Sequence, residues 1–174
     1  QVDVRRVSEP ILLGLVLGLA LLWPLRSPAI EHHGEAREGL VVQAIVDRGE
    51  WILPRRNGEL PSKPPLFHWI GAVTARVIGM SDAAVRFPSA AGAWVVLVLA
   101  YLLGAAAGGR AAGWLSVGAL AGMHSFFESA LEPRVDRVFA AAVTLALVAS
   151  LRWYRSDDRR ARAVCYLAVA ASVL

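Results

Sequence analysis

The chain of 174 residues is 56% hydrophobic and carries a formal net charge of +4 at pH 7. Its mean hydropathy is +0.51, and its apolar content exceeds the roughly 45–50% of ordinary soluble domains, so the composition indicates a membrane protein. Basic chains also bind nucleic acid, but here the arginines form short clusters between apolar runs, as in cytoplasmic loops. We therefore expect membrane lipids as partners and no nucleic acid. The single Cys165 excludes a disulfide framework within this sequence.

The first apolar run, residues 10–25, is uncharged and is followed by Arg26. It predicts a transmembrane helix, and the absence of a small-residue cleavage site after it favours an uncleaved anchor. At the other end, the apolar run 163–174 is shorter than the roughly 20 residues that a spanning helix needs. We therefore expect residues 1–174 to be the N-terminal part of a longer protein, a single truncated transmembrane domain.

Apolar runs in the second half of the chain predict further membrane-spanning helices. They cover residues 87–109, 111–127, 138–154 and, incompletely, 163–174. Arg110 separates the first two runs, and a polar loop at residues 128–137 precedes the third. The predicted fold class is all-α, a polytopic membrane protein.

Residues 26–85 form the long polar segment of the chain and are predicted to be an outer, catalytic loop. Apolar residues recur with helical spacing at Ala36, Leu40 and Ala44, with Val41 and Ile45 beside them, which predicts a helix that Gly49 ends. The apolar stretch 66–80 is short and charged, so it predicts a helix lying at the membrane interface and not crossing it.

The arginine clusters predict the orientation of the chain. Positive-inside bias places Arg110 and the arginines of residues 152–162 on the cytoplasmic side, provided that residues 66–80 do not cross. The segment that contains Glu35 and Lys63 and the loop that contains Asp136 then lie on the same outer face, where they are able to share a site.

Several short motifs follow one another in and just after the polar segment. They are Glu35-Ala36-Arg37, Gly49-Glu50-Trp51-Ile52-Leu53-Pro54, Asn57-Gly58, Lys63-Pro64-Pro65-Leu66-Phe67-His68-Trp69 and Arg86-Phe87-Pro88-Ser89. In order and spacing they resemble the protein O-mannosyltransferase and aminoarabinose transferase superfamily of membrane glycosyltransferases. The resemblance extends over nearly the whole chain and implies a GT-C type helical bundle with interfacial helices in the first outer loop.

The resemblance also implies a function and two catalytic acids. The function is transfer of a sugar from a polyprenyl-phosphate donor to a lipid, glycan or protein acceptor, at the periplasmic face of the bacterial inner membrane. Glu35 matches the second acid of the family's Asp-Glu pair, whose first position is Gly34 here, and Asp136 resembles the second acidic motif. Ser62 stands where relatives of the aminoarabinose type often have Glu.

The chemistry of such a transfer requires a base and cations. A carboxylate such as Glu35 accepts the proton that an acceptor hydroxyl loses as it attacks the anomeric carbon. The leaving group is an anionic lipid phosphate, and the cations available to bind it are Lys63, Arg37 and Arg134. A single displacement of this kind predicts an inverting glycosyltransferase.

Glu31, His32 and His33 are candidates for acceptor or metal contacts. Imidazole and carboxylate groups suit zinc, although adjacent side chains on a helix diverge by about 100°. The sequence therefore offers ligands for a divalent metal cofactor but does not require one.

Each proposed site residue also has a structural alternative. Glu35 and Glu38 would form the solvated face of an interfacial helix, and Lys63 would extend to the lipid headgroups. Asp136 would cap a helix that begins near Arg137. For the whole chain, the alternatives are a membrane transporter, which typically carries charges near mid-membrane, and a non-catalytic scaffold.

Overall fold

The structure is a computed structural model that describes Gly18, residues 33–56 and residues 58–174, with side chains in the first helix from Ala36 onward. In these ranges the fold is all-helical, as predicted, apart from a single bridge between Arg56 and Glu59. The predicted span at residues 10–25 lies outside the described residues, Gly18 excepted. The helices are α1 (His33–Arg48), α2 (Leu66–Ile78), α3 (Asp82–Ala121), α4 (His124–Leu131), α5 (Val135–Ser156) and α6 (Arg159–Val173).

Helix α1 agrees with the predicted helix in its extent and in part of its buried face. Gly49 ends the helix in a left-handed conformation, with φ of 70°. Leu40 is 44% exposed, whereas Val41, Val42 and Ile45 are fully buried. Of the predicted apolar face, Val41, Ala44 and Ile45 are buried, whereas Ala36 and Leu40 are exposed, because the β-branched residues make the contact with the neighbouring helices.

Helix α2 occupies most of the predicted interfacial segment and packs tightly against α1. A Cβ atom on Gly71 would lie 2.9 Å from a methyl carbon of Val42, so the absence of a side chain at Gly71 permits the close approach. The two helices share an apolar cluster with the first turns of α3: Val41, Val42, Ile45, Ala72, Ala75, Ala84 and Val85. These elements form one packed layer at the N-terminal end of α3.

Helix α3 reverses direction at Gly108 and Gly109, where the backbone leaves the helical conformation and Gly109 adopts φ of 77°. The residues after the reversal pack back against the residues before it. The rings of Tyr101 and Trp114 meet edge-on with centroids 5.5 Å apart. The reversal lies at the boundary that the sequence places between two apolar runs.

The apolar run 111–127, predicted to be one span, contains two helices. The first ends at Ala121, and the second begins at His124 after Met123, whose backbone is extended. This turn directs Phe126 onto α3, where it joins an apolar cluster with Leu97. The polar loop predicted at residues 128–137 is also shorter, because α4 continues to Leu131 and α5 begins at Val135.

Helix α5 runs parallel to the first arm of α3, and α6 returns beside α5. A Cβ atom on Gly92 would lie 2.7 Å from the carbonyl oxygen of Arg137, and Arg155 Nη1 donates to the carbonyl oxygen of Ala106 at 3.1 Å. At the other end of the pair, the amide of Leu66 donates to the carbonyl oxygen of Leu174 at 2.8 Å. At this end of the bundle, the starts of α2 and α5 therefore lie close to the end of α6.

Among the described residues, α3 is the one helix with the length and hydropathy to cross a membrane. Helices α5 and α6 nevertheless expose large apolar side chains, including Phe139, Leu147, Tyr166 and Leu167. Such a concentration of exposed apolar surface is typical of a face that contacts lipid or another protein.

Candidate active site

Among the described residues, Glu38 is the one acidic residue that is buried, with 3% of its surface exposed. It precedes Val41, Val42 and Ile45 on the same face of α1, so the packing that buries these side chains carries the carboxylate inward with them. Burial of an ionised carboxylate is unfavourable unless cations and hydrogen bonds compensate for the lost water. The hypothesis that Glu38 lies on a solvated helix face is therefore wrong.

Three basic side chains surround the carboxylate of Glu38. His68 Nε2 lies 2.7 Å from Oε2, and Lys63 Nζ lies 3.4 Å from Oε1. Arg37 Nε also lies 3.4 Å from Oε1. The two carboxylate oxygens thus have different partners, the imidazole on one and two cations on the other.

Burial alone would raise the pKa of Glu38, but the hydrogen bond from His68 and the charge of Lys63 together outweigh it. The pKa of Glu38 therefore lies below its ordinary value. An ionised carboxylate only accepts hydrogen bonds, so His68 donates from Nε2.

His68 is fully buried in the first turn of α2. Its Nδ1 atom has no hydrogen-bond partner among the described residues. The hydrogen bonding of the ring to the described chain therefore runs through Nε2 and Glu38. A buried imidazole with one such bond serves to orient that carboxylate.

A cavity of about 180 Å³ opens where the loop before α2 meets the start of α5 and the end of α6. Lys63, Asp136 and Ser172 are its polar lining residues. The apolar remainder of the lining is Pro64, Leu66, Phe67, Val135, Val138, Phe139, Ala171 and Leu174. The structure therefore brings Lys63 and Asp136 to one cavity, and Lys63 also reaches Glu38 on its other side.

Asp136 lies exposed in the first turn of α5, where a carboxylate interacts favourably with the helix N-terminus. The N-cap position is Arg134, so the hypothesis that Asp136 caps a helix beginning near Arg137 is wrong. The helix starts earlier because the buried hydroxyl of Ser89 holds the backbone of Arg134. That hydroxyl accepts from the Arg134 amide at 2.8 Å.

The other two predicted phosphate-binding cations lie outside the cavity lining. Arg134 Nε is 2.6 Å from Glu132 Oε2, and this hydrogen bond raises the pKa of Arg134 above its ordinary value. Arg37 is half-exposed beside Glu38. Of the three cations, Lys63 is the one that faces the cavity.

Glu35 and His33 belong to the first turn of α1, and their side chains lie outside the part of the chain that the structure describes, as do Glu31 and His32. Within the described ranges, no group of three or more His, Cys, Asp or Glu side chains is arranged to hold a metal ion. The catalytic role predicted for Glu35 and the acceptor or metal contacts predicted for Glu31, His32 and His33 stay predictions.

Sequence reasoning missed His68 and the burial of Glu38, although a signal for both is present. Glu38 precedes Val41, Val42 and Ile45 by three, four and seven positions, and His68 precedes Gly71, Ala72 and Ala75 by the same intervals. Each polar residue thus continues a helix face that is otherwise small or apolar.

A family sequence model described as dolichyl-phosphate-mannose-protein mannosyltransferase matches residues 62–174. The match includes Lys63, Asp136 and every other residue that lines the cavity. Because it covers more than half of the chain, the chain belongs to this family of glycosyltransferases. Glu38 lies before the matched region.

Curated relatives carry the name undecaprenyl phosphate-alpha-4-amino-4-deoxy-L-arabinose arabinosyl transferase 2. The protein of Pseudomonas fluorescens strain Pf-5 is 29% identical over 167 residues, which is 91% of this chain and 27% of that protein. The protein of strain Pf0-1 is 32% identical over 100 residues, 57% of this chain and 18% of that protein. In Proteus mirabilis, the identity is 32% over 94 residues, 53% and 17% of the two chains.

The chain thus spans about a quarter or less of the length of these relatives. No solved structure is significantly similar to it.

Proposed function

We propose that this chain forms the donor-binding part of a polytopic membrane glycosyltransferase. The enzyme moves a sugar from a polyprenyl-phosphate donor to a lipid, glycan or protein acceptor, with inversion at the anomeric carbon. The observation that carries the proposal is the cavity that Lys63 and Asp136 share. The cavity contains both a cation for the leaving phosphate and a carboxylate.

The distribution of charge supports an outer location for this cavity. Arg155 contacts Ala106 next to the chain reversal, so Arg110 and the arginines of residues 152–162 lie at the end of the bundle away from Lys63 and Asp136. If the basic end is cytoplasmic, as positive-inside bias favours, the cavity opens at the periplasmic face.

The proposed reaction is one displacement. The hydroxyl oxygen of the acceptor forms a bond to the anomeric carbon while the bond from that carbon to the phosphate oxygen breaks, and the phosphate leaves with the electron pair. Lys63 stabilises the charge that develops on this phosphate. Glu35 accepts the proton of the hydroxyl, and Asp136 is the second carboxylate at the reacting centre.

The names of the relatives support undecaprenyl phosphate as the lipid carrier. Their sugar is 4-amino-4-deoxy-L-arabinose, whereas the family description names mannose. Both sugars belong in a donor panel, because Ser62 stands where aminoarabinose-type relatives often have a glutamate.

The test is release of undecaprenyl phosphate by the purified full-length protein supplied with each undecaprenyl-phosphate sugar. We expect turnover with at least one donor, a raised donor KM in Lys63→Ala and loss of turnover in Asp136→Asn. The matched control is Asp157→Asn, which removes an acid at the opposite end of the bundle and should leave turnover unchanged. Full turnover in Asp136→Asn would contradict the proposal. So would movement of the lipid-linked sugar across the vesicle membrane without cleavage of the bond between sugar and phosphate.

A further inference from the structure

We propose that Glu38 and His68 form a buried positioning pair that holds Lys63 at the rim of the cavity. This inference rests on the proposed role of Lys63 as a ligand of the donor phosphate, and it names the residues that prepare the lysine for that role. Glu38 is not among the residues that line the cavity, so it acts through Lys63 and not on the substrate directly.

Lys63 needs such a partner because its own segment gives it little support. Between Gly49 and Pro65 the described chain contains no helix, and the Lys63 side chain is 34% exposed. A lysine side chain loses rotamer entropy when it is fixed in one conformation. The contact from Nζ to Glu38 Oε1 ties the flexible side chain to the face of α1 that carries the helix packing.

Glu38 is itself held both at its backbone and at its carboxylate group. Its backbone belongs to α1, which packs against α2 so closely that Gly71 has no room for a side chain. Its Oε2 atom is held by the fully buried His68 at 2.7 Å. With Oε2 held in this way, Oε1 points toward Lys63 and Arg37. The imidazole thus fixes the orientation of the carboxylate group.

The same enclosure makes Glu38 unsuited to act as the general base. A general base must reach the proton that it removes, directly or through one water molecule. Glu38 is buried, both of its oxygens have basic partners, and its pKa is lowered by them. The pair therefore positions a binding residue and does not exchange protons with substrate.

Lys63 is the only lysine among residues 1–174, so the labelling of peptides from this part of the protein reports on Lys63 alone. An amine-reactive acetylating reagent applied to the full-length protein should label Lys63 slowly, and peptide mass spectrometry reports the rate. We expect Glu38→Gln to raise this rate several-fold, because the lysine loses its anionic partner. Glu50→Gln, which removes an acid from the ion pair with Arg48, is the matched control and should leave the rate unchanged.

Variants of His68 test the pair without altering the carboxylate. Glutamine retains an N–H group near the position of Nε2, whereas leucine fills the buried space without a donor. We expect His68→Leu to raise the labelling rate of Lys63 and His68→Gln to keep it near that of the wild type. Wild-type rates in both Glu38→Gln and His68→Leu would overturn the inference, whether or not the protein turns over a donor.

Kinetics separate positioning from a purely structural role. Glu38→Gln should raise KM for the undecaprenyl-phosphate donor several-fold and change kcat little, and it should add nothing in a Lys63→Ala background. An equal effect with and without Lys63 would overturn the inference. Turnover that is indifferent to Lys63→Ala, together with faster labelling in Glu38→Gln, would refute the proposed function and leave the positioning pair intact.

Discussion

The hydroxyl of Ser89 bonds twice to the backbone of Arg134, donating to its carbonyl oxygen at 3.2 Å and accepting from its amide at 2.8 Å. Ser89 is fully buried in α3, and Arg134 immediately precedes α5. The last residue of the Arg86-Phe87-Pro88-Ser89 motif thus fixes the point at which α5 begins. That point determines where Asp136 enters the cavity.

Ser89→Ala should therefore disturb both stability and catalysis. It removes two part-buried hydrogen bonds to the backbone of Arg134, each worth about 0.5–1.5 kcal/mol. We expect a lower thermal midpoint in detergent and reduced donor turnover. Ser150→Ala is the control, because the Ser150 hydroxyl donates to the carbonyl oxygen of Leu147 within the same helix. Equal midpoints for the two variants would show that the Ser89 bonds are dispensable.

Substitution of Gly92 should separate α3 from α5. The added methyl group of Gly92→Ala would meet the carbonyl oxygen of Arg137 at 2.7 Å, and a backbone atom moves only if the helices move. We expect a loss of about 1–3 kcal/mol in stability. In Gly118→Ala nothing lies within 4 Å of the new atom, so that variant should be as stable as the wild type or slightly more so. A stable Gly92→Ala would contradict the close packing.

Lys63 should be required for its charge more than for its shape. Lys63→Arg retains a cation at the cavity, whereas Lys63→Ala removes it, so donor KM should rise far more in the alanine variant. The measurement is the donor concentration dependence of undecaprenyl phosphate release, with membrane levels of each variant determined in parallel. Equal losses in the two variants would indicate a geometric role.

Glu35→Gln should lower turnover by roughly 10²–10⁴ if Glu35 is the general base, because an amide does not accept the proton. Donor binding should change little, since a general base does not need to contact the phosphate. Glu31→Gln and Gly34→Asp should leave turnover within a few-fold of the wild type. Abolition of turnover by Glu31→Gln alone would move the base to Glu31, four residues earlier in the sequence.

The lowered pKa of Glu38 predicts a pH dependence of stability. A carboxyl group whose pKa is lower in the folded than in the unfolded chain stabilises the fold above the unfolded value, and this stabilisation is lost as the pH falls through the folded value. The thermal midpoint of the wild type should exceed that of Glu38→Gln at neutral pH, and the difference should shrink below the ordinary pKa of 4.5. A difference that is constant across this range would contradict an ionised, paired Glu38.

The helices around the site could largely be predicted from local sequence. Glycines stand where α1 and α2 end, and the apolar runs on either side of Arg110 are separate arms in the structure. These features depend on residues close to each other in the chain, because the conformations they need are local ones.

The position of Glu38 could not be predicted in the same way. A glutamate on an amphipathic helix is usually solvated, and its burial here depends on Lys63 and His68 arriving from another segment. The helix start at Val135 was missed for a related reason, since Ser89 fixes it from a distant helix. In both cases a contact between remote residues overrides the local pattern.

The chain reversal at Gly108 and Gly109 also bears on the order in which the molecule assembles. The two arms of α3 are adjacent in sequence, and contacts between near neighbours form early because little chain must be ordered to make them. The cavity instead joins Lys63 to Ala171, Ser172 and Leu174, which are synthesised only after α3, α4 and α5. We therefore expect the helical scaffold to form while synthesis continues, and Lys63 to acquire the opposite wall of its cavity only when α6 docks.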